Sequence, residues 1–97
     1  MMTITTFIWL YRFVEKLAHK HNVTTDEVEQ VFHNRPRIQF VESGDVEGED
    51  MYRALGRADD GRYLAAFFVY KGENTALVIS AREMSQRERK SYGKHKK

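Results

Sequence analysis

The sequence predicts an α+β domain: two N-terminal helices, a three- to four-stranded, mostly antiparallel sheet, and a short basic C-terminal helix. Three observations carry this reading. Apolar residues recur at helical spacing in the first third of the chain. After Pro36 the period changes to that of strands broken by turn signals, and near the end Ser85 and Glu88 stand three apart ahead of a basic segment.

In the first helix Leu10, Phe13, Val14, Leu17, Ala18 and His21 fall on one face at i, i+3, i+4 and i+7. Asn22 suits the left-handed residue that closes a helix. Thr24 and Glu27 then form a capping box, with Val23 and Val28 as the apolar staple around it. This second helix must end before Pro36, because proline drives Arg35 out of the helical region.

Ile38 and Phe40 mark an edge strand over Arg37 to Val41, followed by an acidic stretch from Glu42 to Asp50. Met51 to Arg57 reads as the next strand, and Asp59-Asp60-Gly61 as a turn. Tyr63 to Tyr70 is a nearly unbroken apolar run, the mark of a central strand. Lys71-Gly72-Glu73-Asn74 turns the chain into a last strand, Thr75 to Arg82. A second capping box, Ser85 to Glu88, opens the basic helix, and residues 93–97 are expected to form a flexible basic tail. Tight connections make the sheet a meander with helices packed on one face.

The chain has 97 residues, enough for one domain spanning 1–97 with one compact core. No cysteine is present, which excludes disulfides and thiolate metal sites and makes a cytoplasmic location the expectation. His19 and His21, two apart, lie on different sides of a helix and do not suggest a metal site. Arg12, Glu15 and Lys16 interrupt the apolar N-terminal segment well before the roughly 20 residues of a membrane span. No cofactor is expected, and no membrane partner.

Charge is unevenly placed. Residues 82–97 carry seven Lys or Arg against two Glu, a balance of +5, whereas the first 81 carry nine against twelve, a balance of −3. A polyanion would therefore meet a patch rather than a uniformly basic surface, and RNA is the expected partner.

Arg53 and Arg57 stand four apart on one side of a strand, and Arg82 ends the last strand. Guanidinium groups bind phosphate through paired N–H donors and can offset charge that develops in its transition state. They are equally suited to cross-strand ion pairs. Glu88 is expected to cap rather than catalyse, which leaves Glu83 as the freer carboxylate. His21 suits proton transfer by its intermediate pKa, and core-edge packing by its place on the apolar stripe. Lys20, Arg62 and Arg89 are candidate RNA contacts. Tyr92, among basic residues, is the tyrosine best placed to stack on a base, although helix packing suits its spacing as well. Glycine-rich phosphate loops and Ser-His-Asp spacing are absent from the sequence. What remains is cleavage in which the RNA 2′-hydroxyl attacks its own phosphate, so the protein must position the chain, move two protons and stabilise charge.

Several stretches together are distinctive: Phe7-x-Trp9, Lys20-His21-x-Val23, Val31-Phe32, Glu49-x-x-Tyr52-Arg53-Ala54-Leu55-Gly56-Arg57, Gly61-Arg62, and Ile79-Ser80-Ala81-Arg82 with Glu88-Arg89-x-x-Tyr92. With these the chain resembles the BrnT family of toxins from Phe7 to Tyr92. The resemblance implies a RelE-like fold and a metal-independent endoribonuclease toxin of a type II toxin-antitoxin system that inhibits translation by RNA cleavage. It also implies a BrnA-like ribbon-helix-helix antitoxin, with operator DNA bound through the complex. Within that pattern Arg53, Arg57, Arg82, Glu83 and His21 are the catalytic candidates. Where the family usually carries aspartate, lysine and asparagine, this chain has Leu10, Phe13 and Leu17, and a non-catalytic RNA- or protein-binding module on the same scaffold is the alternative.

Overall fold

A computed structural model describes residues 2–45 and 48–95. The element order is β1 (Thr6–Ile8), α1 (Tyr11–His21), α2 (Thr25–His33), β2 (Arg37–Glu42), β3 (Met51–Arg57), β4 (Tyr63–Gly72), β5 (Thr75–Glu83) and α3 (Gln86–His95). The fold class is the expected α+β.

The helix boundaries follow their local chemistry. Asn22 takes φ 54°, and its amide donates to the Leu17 carbonyl, which ends α1. The Thr24 and Glu27 side chains cap each other's backbone N–H groups at the start of α2.

The strands form one sheet in the order β1-β5-β4-β3-β2. Strands β2 to β5 pair antiparallel as a meander, with β4 at the centre and β2 at an edge. The fifth strand, β1, exceeds the three or four expected. It is only three residues long and pairs parallel to β5, Phe7 opposite Ala76, so neither a hairpin turn nor a long apolar run announces it.

Helices cover both faces of the sheet, which corrects the expectation of one. Alternation along the strands explains why. Ala54, Leu64, Ala66 and Phe68 face α1 and α2, where Leu17, Val28, Val31 and Phe32 complete the larger core. Leu55 and Ala65 point the other way and pack with Met84 and Tyr92, with Tyr63 and Phe67 at the margin. Helix α3 therefore lies on the second face, bringing its basic residues to the arginines of β3 and β5. It continues through His95, past the expected start of the tail at Gly93; Lys96 and Lys97 lie outside the described residues, as do Val46 and Glu47 of the acidic stretch.

Candidate nucleic-acid interface

The second face of the sheet is built by strand register. Gln39, Arg53 and Phe67 stand opposite one another across β2, β3 and β4, and Ala65 stands opposite Arg82. Residues at i and i+2 share a face, so Arg53, Leu55 and Arg57 line one side of β3. Helix α3 is held over this surface at three points. Arg37 donates to the Ser91 carbonyl and Gln39 to the Ser91 hydroxyl, both at 3.3 Å. Tyr92 meets the Tyr63 ring edge-on. Glu88 makes the third contact.

Glu88 is 5% exposed, a cost that it meets with four charge-assisted or backbone hydrogen bonds. Arg82 donates to both of its oxygens, at 2.7 and 2.9 Å. Arg53 donates to Oε2 at 3.1 Å, and the Ser85 amide to Oε1 at 2.8 Å. The reciprocal bond from the Glu88 amide to the Ser85 hydroxyl completes the expected capping box. Burial raises the pKa of this carboxyl, but the Arg82 hydrogen bonds, the Ser85 amide and the charges of Arg82 and Arg53 outweigh it and bring the value down to about 2. In turn the Glu88 hydrogen bonds raise the Arg82 pKa further. Gln39 holds the other side of Arg53, accepting from both Nε and Nη2. Arg53 and Arg82, two candidates for gripping phosphate, are thus brought together around a carboxylate of their own chain.

A second pair of arginines is differently placed. The guanidinium carbons of Arg57 and Arg89 lie 4.6 and 4.0 Å from the centre of the Tyr63 ring. Both residues are exposed, and neither has a carboxylate partner among the described residues. Arg57 also donates to the Gly61 carbonyl at 3.3 Å, which holds its stem against the β3–β4 turn. Two cations held against one aromatic ring form a surface suited to phosphate. Tyr92, expected to offer its ring, is instead only 3% exposed and packs in the smaller core.

The remaining candidates gather on the other side of the sheet. Arg62 Nη1 donates to both oxygens of Glu27 and to the Asn22 carbonyl, and Nη2 reaches Glu83 at 3.2 Å. Burial lowers the Arg62 pKa, but its carboxylate partners more than restore it. Glu83, expected as the freer carboxylate, is therefore ion-paired, although its side chain is 70% exposed. Lys20 and His21 lie in the last turn of α1, next to the Asn22 carbonyl that Arg62 holds.

Sequence reasoning identified most of these residues but not their partners. Glu88 was legible as a cap through its spacing from Ser85; its closure of the Arg53–Arg82 pair was not, because Arg53 lies 35 positions away. Glu27 carried only a capping signal, and Tyr63 no signal that set it apart from the other tyrosines. No three His, Asp or Glu side chains converge on a metal-sized space among the described residues, and no described helix is long and apolar enough to cross a membrane.

The sequence profile of a family described as the ribonuclease toxin BrnT of type II toxin-antitoxin systems matches residues 14–88. Among solved structures, the ribonuclease toxin BrnT of Brucella abortus superimposes with a TM-score of 0.58 at 21% identity, covering 84% of this chain and 100% of that one. No curated protein sequence matches the chain at a significant level.

Proposed function

Because the chain belongs to the BrnT family of ribonuclease toxins of type II toxin-antitoxin systems, we propose that it is an endoribonuclease that needs no metal and inhibits translation by cutting RNA. The observation that carries this reading is the pair Arg57 and Arg89, two exposed guanidinium groups on the Tyr63 ring without carboxylate partners among the described residues. They supply phosphate contacts that require nothing to be displaced. Arg82, 36% exposed at its side chain, extends the same face toward the edge of α3 and can share a phosphate oxygen while keeping Glu88.

Glu88 stays ionised at neutral pH and orients Arg82 and Arg53; a carboxyl held near 2 is a weak base and cannot donate a proton there. His21 and Glu83, expected to move protons, lie across the sheet from the Arg57–Arg89 surface, at the end where Arg62 ties α1 to β5, and stand apart from a phosphate bound there. Lys20 adds a cation at that end, and Arg62 acts mainly as the internal tie. An antitoxin partner comes with type II membership; we assign it as a BrnA-like ribbon-helix-helix protein, with operator DNA bound through the complex.

A second reading is favoured by one observation. Glu88 already fills the space between Arg53 and Arg82, as a substrate phosphate would. On that reading the scaffold binds RNA without cutting it.

The test is purified protein incubated with a messenger RNA in excess EDTA, followed by translation of that RNA in a cell-free system. The first reading expects cleavage in EDTA and loss of the translated product. Bound but intact RNA supports the second. Cleavage that disappears in EDTA and returns with a divalent cation contradicts metal independence.

A further inference from the structure

Beside Arg57 lies a groove of about 510 Å³ that the phosphate-binding reading does not use. It is lined by Asn34, Arg57, Ala58, Asp59, Gly61 and Tyr92, and it is within the size range of small-ligand clefts. Its chemistry is mixed where the neighbouring surface is basic, because one carboxylate, Asp59, lies in it. That carboxylate is held in place. The Asp59 amide donates to Gln30 Oε1, and Asn34 Nδ2 donates to Asp59 Oδ1 and to the Arg57 carbonyl, each at 2.9 Å. Among the described residues no group donates to Oδ2.

Gly61 lines the groove beside Arg57. Its φ of 97° suits glycine, and a Cβ there would lie 3.2 Å from Arg57 Nη2, so the guanidinium would have to shift by a few tenths of an ångström. The result is a fixed carboxylate acceptor in a groove walled by an aromatic residue and an arginine, next to the Arg57–Tyr63–Arg89 surface. A carboxylate repels a bare phosphate, so the groove selects for a group that offers donors. Among the four RNA bases, guanine alone presents two adjacent donors, N1–H and N2–H, on its Watson–Crick edge, matched to the two oxygens of one carboxylate.

We infer that this groove is a guanine-reading subsite in which Asp59 accepts from N1–H and N2–H while Arg57 holds the attached phosphate. The inference rests on the proposal that RNA runs over the Arg57–Arg89 surface, and it makes Asp59 a specificity-determining residue. Guanosine at this subsite sets where along an RNA the protein docks.

The test uses short oligouridines carrying a single guanosine, inosine or adenosine, with a 2′-O-methyl group on every ribose so that no free 2′-hydroxyl is present to attack. Inosine lacks only the N2 amine of guanine. Wild-type protein is expected to bind the guanosine oligomer about tenfold more tightly than the inosine one, the scale of one charge-assisted hydrogen bond, and to bind the adenosine one more weakly still, because adenine lacks both donors. Asp59→Asn, which keeps an oxygen for the Asn34 bond, is expected to bind all three alike. Equal wild-type affinities, absence of binding, or discrimination that survives in Asp59→Asn would each overturn the subsite. All-ribose oligomers run in parallel separate this inference from the activity it rests on. Cleavage without guanosine preference overturns the subsite alone, whereas guanosine-selective binding without cleavage supports the subsite and overturns the ribonuclease reading.

Discussion

Glu88 caps α3 through its reciprocal bonds with Ser85, and the same carboxylate joins Arg53 of β3 to Arg82 of β5. Removing the carboxylate leaves two partly buried guanidinium groups facing each other. Glu88→Ala is therefore expected to lower unfolding free energy by about 2–3 kcal/mol in urea titrations at neutral pH. The pH dependence has a definite sign. The folded-state pKa of about 2 lies below the ordinary 4.5, so the unfolded chain takes up the proton first. The stabilisation is complete above about pH 4.5 and fades as pH falls toward 2. Wild type and Glu88→Gln, which never ionises, should accordingly converge in stability across that window. A difference that stays constant from pH 6 to pH 2.5 would contradict the assignment.

Elements were more legible than their arrangement. The spacing of Leu10, Phe13, Val14 and Leu17 announced α1, the Thr24 box announced α2, and the expected Met51–Arg57 strand is β3 as observed. Strand β1 was missed because three residues carry too little pattern, and the far side of the sheet was left uncovered because Tyr92 reads the same whether it packs inward or faces solvent. Between elements, the approach of α2 to β3 depends on Gly56. A Cβ there would lie 2.9 Å from Val31 Cγ1 and 3.3 Å from the Val31 carbonyl oxygen. Gly56→Ala should thus push α2 from the sheet and cost about 1–3 kcal/mol, read by thermal or urea unfolding. Thr24→Ala, which removes only the side-chain acceptor for the Glu27 amide, should cost about 1 kcal/mol. Reversal of that order would mean that the helix is anchored by its cap rather than by its packing.

At the scale of the molecule, uneven charge becomes a surface. The basic C-terminal segment forms α3, α3 lies on the face that carries Arg53, Arg57 and Arg82, and Glu88 neutralises part of what it meets. Sequence indicated the arginines as a group; folding divides them into an ion-paired set and a set without carboxylate partners among the described residues, a division set by contacts between residues far apart in the chain. If Arg57 and Arg89 each meet a phosphate, replacing both with alanine should reduce the slope of log affinity against log salt by roughly 0.7 per contact for single-stranded RNA. An unchanged slope would place the RNA elsewhere. The most direct measurement is to induce the wild-type chain and the folded Arg57→Ala/Arg89→Ala variant in cells, following growth and the integrity of total RNA. Growth arrest with RNA breakdown in the wild type alone is the expected result. RNA breakdown of equal extent in both, or intact RNA in both, would contradict a ribonuclease that works through the Arg57–Arg89 surface.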